Sequence, residues 1–448
     1  MRKALFSMLL LLVLGATGLA QSNRAAAPRE APPTAPVRAS GASREPSGNS
    51  AFSTERLARI DRVLQQYVDE SRIAGAVALV LRDGQPVYER AVGWSDKEAG
   101  RRMTMETIFR IASQTKAVTS VAILSLVEEG KIGLNDPVSR FIAPFAKTTV
   151  AVRQEGSVTF VPAKRPITIR DLLTHTAGIS YGTQSDVASL YEAKGLGPAA
   201  GFGWYTADKN EPICETMERL ASLPFSAQPG EAWVYGYNTD VLGCVVERVA
   251  GMALDEFVRT RITDPLGMKD TRFFLSTDER DRLAVLYGNG NDGRIARSPA
   301  GARGQGDYVD GPRRSFAGGA GLLSTARDYA RFLEMIRHGG VLEGTRILAP
   351  RTVELMTTNQ VGTLHSPTGL GFGLGFQTTD RYGANGLDSQ GAFGWGGAYG
   401  TLYRVDPEAR LVIVLMIQLL PNTTDLREKF PTLVYQALVE SPHTNGRP

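Results

Sequence analysis

Ser113 and Lys116 are the residues of this chain best suited to covalent chemistry. They open a helical pattern over residues 113–130, and positions i and i+3 of a helix share one face. A serine hydroxyl attacks poorly unless a base removes its proton. A lysine can be that base only when burial or a neighbouring cation disfavours its charged form. The spacing therefore predicts an activated serine, although a serine at a helix start is commonly just an N-cap.

Tyr235 is the second candidate, within residues 229–243 (PGEAWVYGYNTDVLG), where it falls in a turn before an apolar helix. A phenol at such a turn can share a proton with Lys116, and a charged lysine beside it would favour the phenolate as the base. The alternative is that Tyr235 only packs beneath a loop. In either case we expect a helix to follow it.

The third candidate is the glycine-rich segment 394–400 (GWGGAYG), which leads into a predicted strand. Glycines at this place let a substrate approach the strand backbone closely. A backbone N–H from this edge, together with that of Ser113, would form an oxyanion hole. The alternative is a glycine-rich bulge that holds Trp395 in the core.

The order of these three segments resembles the serine β-lactamase and penicillin-binding-protein superfamily, on the branch of class C β-lactamases and family VIII carboxylesterases. The resemblance covers roughly residues 53–440 and extends to residues 171–178 (DLLTHTAG), 318–328 (GGAGLLSTARD) and 371–376 (GFGLGF). It implies an α/β (α+β) fold of the β-lactamase/transpeptidase type. In that fold an antiparallel sheet is flanked by helices and carries an inserted, mostly helical region.

The resemblance also implies roles for individual residues. Ser113 would be acylated, Lys116 and Tyr235 would be the general bases, and the N–H of Ala398 would be the second oxyanion donor. No metal or other cofactor is implied.

Two positions depart from the lactamase pattern. Tyr237 occupies the third place of the Tyr-x-Asn motif, so that Asn238 comes one residue late. Trp395 stands where that pattern has a lysine or histidine. β-Lactams and D-alanyl peptides carry a carboxylate that a cation attracts, whereas a tryptophan offers an apolar face that suits a neutral ester or amide.

The Trp-Gly-Gly segment resembles the family VIII esterases specifically. We therefore expect a carboxylesterase for small neutral esters, with Tyr237, Trp395, Gly396, Gly397 and Ala398 on the substrate side. The alternatives are a β-lactamase, a D-amino-acid peptidase, or a penicillin-binding module that is acylated without turnover.

The sequence pattern predicts one sheet built from both ends of the chain, residues 52–112 and 372–440, with a helical region at about 113–350 between them. The individual predictions are a capped helix from Ser53 to about Val68, hairpins over 75–92 and 150–161, strands at 372–378, 399–406 and 410–418, and a final helix at about 424–440.

The first 50 residues are predicted to precede the folded domain, which we expect to span residues 51–440. Arg2 and Lys3, the apolar residues 4–15 and the small residues 18–20 are typical of a signal peptide that ends near Ala20. An uncleaved anchor is the alternative. Residues 21–50 are rich in alanine, proline and serine and predict a flexible linker. We therefore expect export to the periplasm or the medium, without stable membrane insertion after cleavage.

The amino-acid composition argues against two classes of binding partner, nucleic acids and zinc ions. The net charge of +4 comes from scattered basic residues, which argues against nucleic acid, and the four histidines are too far apart to predict a zinc site. We expect a small-molecule ester or amide as the partner, and the oligomeric state stays open. Cys214 and Cys244 could form a disulfide bond or remain two core cysteines.

Residues 178–182 (GISYG) match the Gly-x-Ser-x-Gly motif of another class of hydrolase. That motif needs a strand before it and a helix after it, whereas here a helical pattern precedes it. Ser180 is therefore not the predicted nucleophile. The predicted loop 181–212, with Trp204 and Tyr205, either forms a wall of the cleft or is an uninvolved surface insertion.

Overall fold

The computed structural model describes residues 51–197, 207–290, 293–301 and 304–440. The predicted signal peptide and linker, and Trp204 and Tyr205 of the predicted loop, lie outside the described residues. Within those ranges, no helix combines the length and the apolar character that a bilayer crossing requires.

The helices and strands are numbered in chain order. The α-helices are α1 (Thr54–Asp69), α2 (Thr115–Glu128), α3 (Ile169–Leu173), α4 (Ala188–Ala193), α5 (Ile213–Ala221), α6 (Asn238–Ala250), α7 (Leu254–Val258), α8 (Ala326–Arg337), α9 (Pro350–Met356) and α10 (Leu426–Tyr435). The strands are β1 (Gly75–Arg82), β2 (Gln85–Asp96), β3 (Arg101–Arg102), β4 (Phe109–Arg110), β5 (Thr149–Gln154), β6 (Ser157–Pro162), β7 (Tyr287–Asn289), β8 (Ile295–Arg297), β9 (Leu323–Ser324), β10 (Val341–Leu342), β11 (Thr345–Arg346), β12 (Leu370–Phe372), β13 (Gln377–Thr379), β14 (Phe393–Gly396), β15 (Leu402–Asp406) and β16 (Leu411–Met416).

The central sheet has eight strands in the order β12-β13-β14-β15-β16-β1-β2-β3, and each pair is antiparallel. The two ends of the chain meet where β1 pairs with β16, with Leu79 opposite Val414. This arrangement confirms the predicted fold class and the sheet assembled from both ends of the chain.

The two faces of the sheet are covered by different helices. Successive side chains of β1 point to opposite faces, so Val77 and Leu79 join one core, while Ala78 and Val80 join the other. The first core includes α2, α6 and α8, and the second includes α1 and α10. Since both faces are covered, β1 and β16 are almost entirely buried.

Three sequence predictions at the C-terminal end need correction. The predicted strand 372–378 is two strands, β12 and β13, because the chain turns at Gly375, which has φ +99° and packs against Ser120 of α2. The strand predicted at 399–406 begins at Leu402, and β14 before it was not separately predicted. The last helix ends at Tyr435 rather than near residue 440.

Cys214 of α5 and Cys244 of α6 form a disulfide bond, which settles the alternative that the sequence left open. The bond closes a loop with a sequence separation of 30, and Tyr235 lies inside that loop. Both ends of the segment that carries Tyr235 are therefore fixed to the helical region.

Candidate active site

Ser113 lies in a 3₁₀ turn, Ala112–Gln114, that leads directly into α2. The residue before it, Ala112, has φ +43°, a conformation that costs a residue with a Cβ about 1–3 kcal/mol unless its surroundings enforce it. This sharp turn brings Ser113 to the wall of a cavity. The N-cap residue of α2 is Gln114, whose side chain makes no capping hydrogen bond, so Ser113 does not have the simple capping role.

Lys116 is buried on the first turn of α2, with 2% of its surface exposed. Its amine lies 2.9 Å from the hydroxyl oxygen of Tyr181, 2.8 Å from the carbonyl oxygen of Gly319 and 3.4 Å from Ser113 Oγ. An ammonium group has three N–H donors, and the first two oxygens accept two of them. The third substituent position of the Lys116 nitrogen faces Ser113. In the ammonium form this position is an N–H that donates to Oγ, and in the neutral amine it is a lone pair that can receive the serine proton.

Asp240 and Gly319 hold the Lys116 amine through two linked hydrogen bonds. The N–H of Gly319 donates to Asp240 Oδ1 at 3.0 Å, while its carbonyl accepts from Lys116. A Cβ at position 319 would lie 2.4 Å from Asp240 Oδ2, so only glycine fits there. Burial raises the pKa of the Asp240 carboxyl, and the Lys116 amine opposes that rise. These contacts give a physical role to residues 318–328, which the sequence analysis used only for the resemblance.

Tyr181 is the site residue that sequence reasoning missed, because it lies in the GISYG segment that was examined only for its serine. Burial raises the pKa of its phenol well above the usual range, so Tyr181 is a neutral acceptor for the Lys116 amine. Ser180 is fully buried and accepts a hydrogen bond from the N–H of Gly182, a structural contact. The available signal was a tyrosine three residues after the DLLTHTAG segment.

Tyr235 lines the same cavity as Ser113, and its ring lies over the Lys116 amine, 4.6 Å from Nζ to the ring centroid. Its hydroxyl oxygen accepts a hydrogen bond from Trp395 Nε1 at 3.2 Å. Within the described part of the chain, this hydroxyl makes no hydrogen bond to Lys116 or Ser113. The phenol and the amine thus meet, as expected, but by a cation–π contact instead of a direct hydrogen bond.

Two aromatic rings pack against the ring of Tyr235. Trp233 stacks on it at 5.7 Å between ring centroids, and His175 packs at 4.8 Å. Burial first, and then the charge of Lys116, hold the pKa of His175 well below its usual range. His175 is therefore a neutral packing and hydrogen-bonding residue, and its Nδ1 lies 3.0 Å from the amide nitrogen of Asn238.

Tyr237 was expected on the substrate side, and the structure corrects that expectation. Its ring is buried, its hydroxyl donates to the carbonyl oxygen of Leu196 at 2.6 Å, and it packs against Tyr181 at 4.8 Å between centroids. The turn before α6 directs position 237 inward, whereas Tyr235 faces the cavity. Asn238 is fully buried and donates to backbone carbonyls, one of them that of Val234, so it supports the turn.

The third segment lies where the sequence predicts it, at the end of β14 beside the nucleophile. Trp395, Gly396, Gly397 and Ala398 all line the cavity. A Cβ at position 397 would lie 2.4 Å from the carbonyl oxygen of Ile111, so glycine is required for this close approach.

Two residues that line the cavity have backbone N–H groups without a partner among the described residues. The backbone N–H groups of Ser113 and Ala398 are bonded to no other described residue, and both residues line the cavity. A pair of free N–H groups beside a serine hydroxyl is suited to bind an oxyanion.

The cavity has a volume of about 680 Å³, which is the size of a small-molecule site. Its lining includes Ser113, Tyr181 and Tyr235 together with residues of α10 and of the loop that contains Leu387. Among the described residues, no cluster of three or more histidine, cysteine or acidic side chains could hold a metal ion.

Comparisons with known proteins identify the family of this chain. The family profile described as Beta-lactamase matches residues 60–437. Esterase EstB of Burkholderia gladioli is 35% identical over 392 residues, covering 84% of this chain and 93% of the relative. The lovastatin esterase of Penicillium rubens is 31% identical over 395 residues, covering 82% and 94%. The solved structure of EstCE1, a hydrolase with promiscuous acyltransferase activity, superposes with a TM-score of 0.70 at 28% identity, covering 86% of this chain and 99% of that one.

The role of Tyr181 can be tested against Tyr237, which is a matched control because its hydroxyl bonds a backbone carbonyl outside the cavity. We expect Tyr181→Phe to slow the labelling of Ser113 by a fluorophosphonate about tenfold to 100-fold, because the Lys116 amine loses a charge-assisted hydrogen bond. Tyr237→Phe should change the rate less than about threefold. Equal rates for the two variants would show that Tyr181 does not hold the amine for reaction.

Proposed function

Because this chain belongs to the β-lactamase family and is a serine hydrolase on the branch of family VIII esterases, we propose that it hydrolyses small neutral carboxylic esters through an acyl-enzyme on Ser113. The observation that carries the proposal is the contact of 3.4 Å between Ser113 Oγ and the buried Lys116 amine at the wall of the cavity. The esterase relatives support the choice of esters.

The reaction follows from the groups around Ser113. Its Oγ attacks the ester carbonyl carbon while its proton passes to the Lys116–Tyr235 pair. The carbonyl oxygen becomes an oxyanion that the N–H groups of Ser113 and Ala398 bind. The C–O bond to the alcohol then breaks, the alcohol takes up the proton, and the acyl group stays on Ser113. Water repeats the attack and releases the acid.

The geometry allows Lys116 and Tyr235 to act as one base. A neutral Lys116 would receive the serine proton in the one direction that Tyr181 and Gly319 leave open. Alternatively, the ammonium under the Tyr235 ring and the Trp395 N–H at its oxygen would both stabilise negative charge on the phenol.

The cavity wall favours uncharged substrates. Trp395 occupies the place of the cation that binds carboxylates in the lactamase pattern, and Leu387, Leu402 and Pro431 add apolar surface. Two arginines also line the cavity. Arg404 forms an ion pair with Asp388 at 3.3 Å. Arg427 of α10 donates from Nη2 to the carbonyl oxygen of Gly397, and its Nε is enclosed. The guanidinium group of Arg427 is thus bonded to the protein backbone through Nη2.

Ser113→Ala tests the nucleophile, and Ser180→Ala is the control because it removes the other serine that a motif search selects. We expect Ser113→Ala to lose p-nitrophenyl butyrate turnover by about 10³-fold or more, since the acyl-enzyme cannot form. Ser180→Ala should retain activity within about tenfold of the unmodified protein. Mass spectrometry should find the butyryl group on Ser113 alone. Turnover by Ser113→Ala at the unmodified rate would exclude Ser113.

Substrate charge tests the role of Trp395. We expect kcat/KM for p-nitrophenyl butyrate to exceed that for nitrocefin by about 100-fold or more, because no cation at position 395 attracts the lactam carboxylate. A preference for nitrocefin would instead support the β-lactamase alternative. A stable penicillin adduct without ester turnover would support the penicillin-binding alternative.

Export is a separate proposal that rests on the sequence of residues 1–20. The Cys214–Cys244 bond supports it, because disulfides persist in oxidising compartments outside the cytosol. We expect the protein secreted by its native host or a bacterial host to begin at Gln21, and intact-mass measurement of the exported protein checks this. Activity confined to the cytosol with residue 1 retained would contradict export.

A further inference from the structure

Arg427, on the first turn of α10, lines the cavity together with Ser113 and Ala398. Its Nη2 donates a hydrogen bond to the carbonyl oxygen of Gly397. Its Nε is enclosed and has no acceptor within the described ranges. A Cβ at position 396 would lie 3.5 Å from its Cζ, so the guanidinium lies directly against the glycine segment.

The bonded carbonyl belongs to the same peptide group as the N–H of Ala398. Resonance couples the two ends of a peptide group, so drawing electron density toward the oxygen makes the N–H a stronger donor. The N–H of Gly400 also donates to this oxygen, at 3.1 Å. The peptide is therefore held from its oxygen side by two donors, one of them charged, while its N–H, on a residue that lines the cavity, has no acceptor among the described residues.

The neighbouring Glu428 carboxylate favours the charge of Arg427 through space but makes no ion pair with it. In the described part of the chain no carboxylate forms an ion pair with it, and burial lowers the pKa of the guanidinium. Holding a partly buried cation without a counter-ion is unfavourable for folding. The cost would be offset when negative charge develops on a substrate oxygen beside Ala398, which is the moment at which the field of Arg427 stabilises the site most.

We propose that Arg427 is a positioning residue that orients and polarises the Ala398 amide for the oxyanion. The proposal rests on the proposed function, since it assumes that an oxyanion forms at this place. It differs from a role in substrate binding, in which the guanidinium would pair with a substrate carboxylate. The first role affects neutral substrates in kcat, whereas the second affects anionic substrates in KM.

The test replaces Arg427 by methionine, which keeps length without donors, and by lysine, which keeps a charge. We expect Arg427→Met to lower kcat for p-nitrophenyl butyrate about tenfold to 100-fold with KM changed less than about threefold. The affinity for butylboronic acid, whose boron bonds Ser113 Oγ and leaves a hydroxyl in the oxyanion hole, should fall by the same factor as kcat. Arg427→Lys should recover part of both.

Lys429→Met is the matched control, because it removes an exposed cation from the same helix, one that pairs with Asp425. It should leave kcat and boronate affinity unchanged. Unchanged values in Arg427→Met would overturn the proposal, as would a loss confined to KM for nitrocefin. If Arg427→Met does not fold, the boronate affinity of Arg427→Lys decides, and a value equal to that of the unmodified protein with both kinetic constants unchanged overturns the proposal.

The boronate measurement separates this proposal from the proposed function. If the unmodified protein bound the boronate through Ser113 but did not hydrolyse esters, the esterase proposal would fail. The effect of Arg427 on the adduct would still be measurable.

Discussion

The burial of one amine is the constraint on which the rest of the structure depends. Lys116 has almost no access to water, so each of its N–H groups must find an acceptor within the protein. Tyr181 and Gly319 supply two acceptors, and hydrogen bonds to a charged group contribute about 1.5–3 kcal/mol each. The third direction is left to the nucleophile. A lysine whose three N–H groups were all bonded to other parts of the protein could not exchange a proton with Ser113. A lysine whose N–H groups had no acceptors would not stay buried.

The acceptors come from parts of the chain that only the tertiary fold brings together. Tyr181 follows α3, Gly319 precedes β9, and Asp240 of α6 holds the Gly319 peptide through its N–H. On the opposite side, the antiparallel sheet carries the oxyanion segment to Ser113 at the end of β14. The helical region thus supplies Lys116 and its supports, while the sheet supplies the glycine-rich segment 394–400. The cavity lies where the two meet.

The sequence predicted those features whose signal is local. Ser113 and Lys116 share a helix face, the alternating patterns mark the outer strands, and the resemblance identifies Tyr235. Tyr181 could not be found this way, because its role depends on the approach of its loop to α2. The same holds for Arg427, which reaches Gly397 across 30 residues of sequence. Tyr237 was assigned to the substrate side from its motif position alone. That assignment was wrong because the turn before α6 directs its side chain into the protein interior.

The Cys214–Cys244 bond encloses Tyr235 within a covalent ring, which limits how far this segment can move from α5 and α6 when it opens. Closing a loop of this length reduces the entropy of the unfolded chain by the equivalent of about 3–4 kcal/mol. Material made in a reducing cytosol would lose that contribution and would populate open forms of this segment more often. Preparations of reduced and of disulfide-bonded protein would then differ in storage lifetime even where both have the same fold.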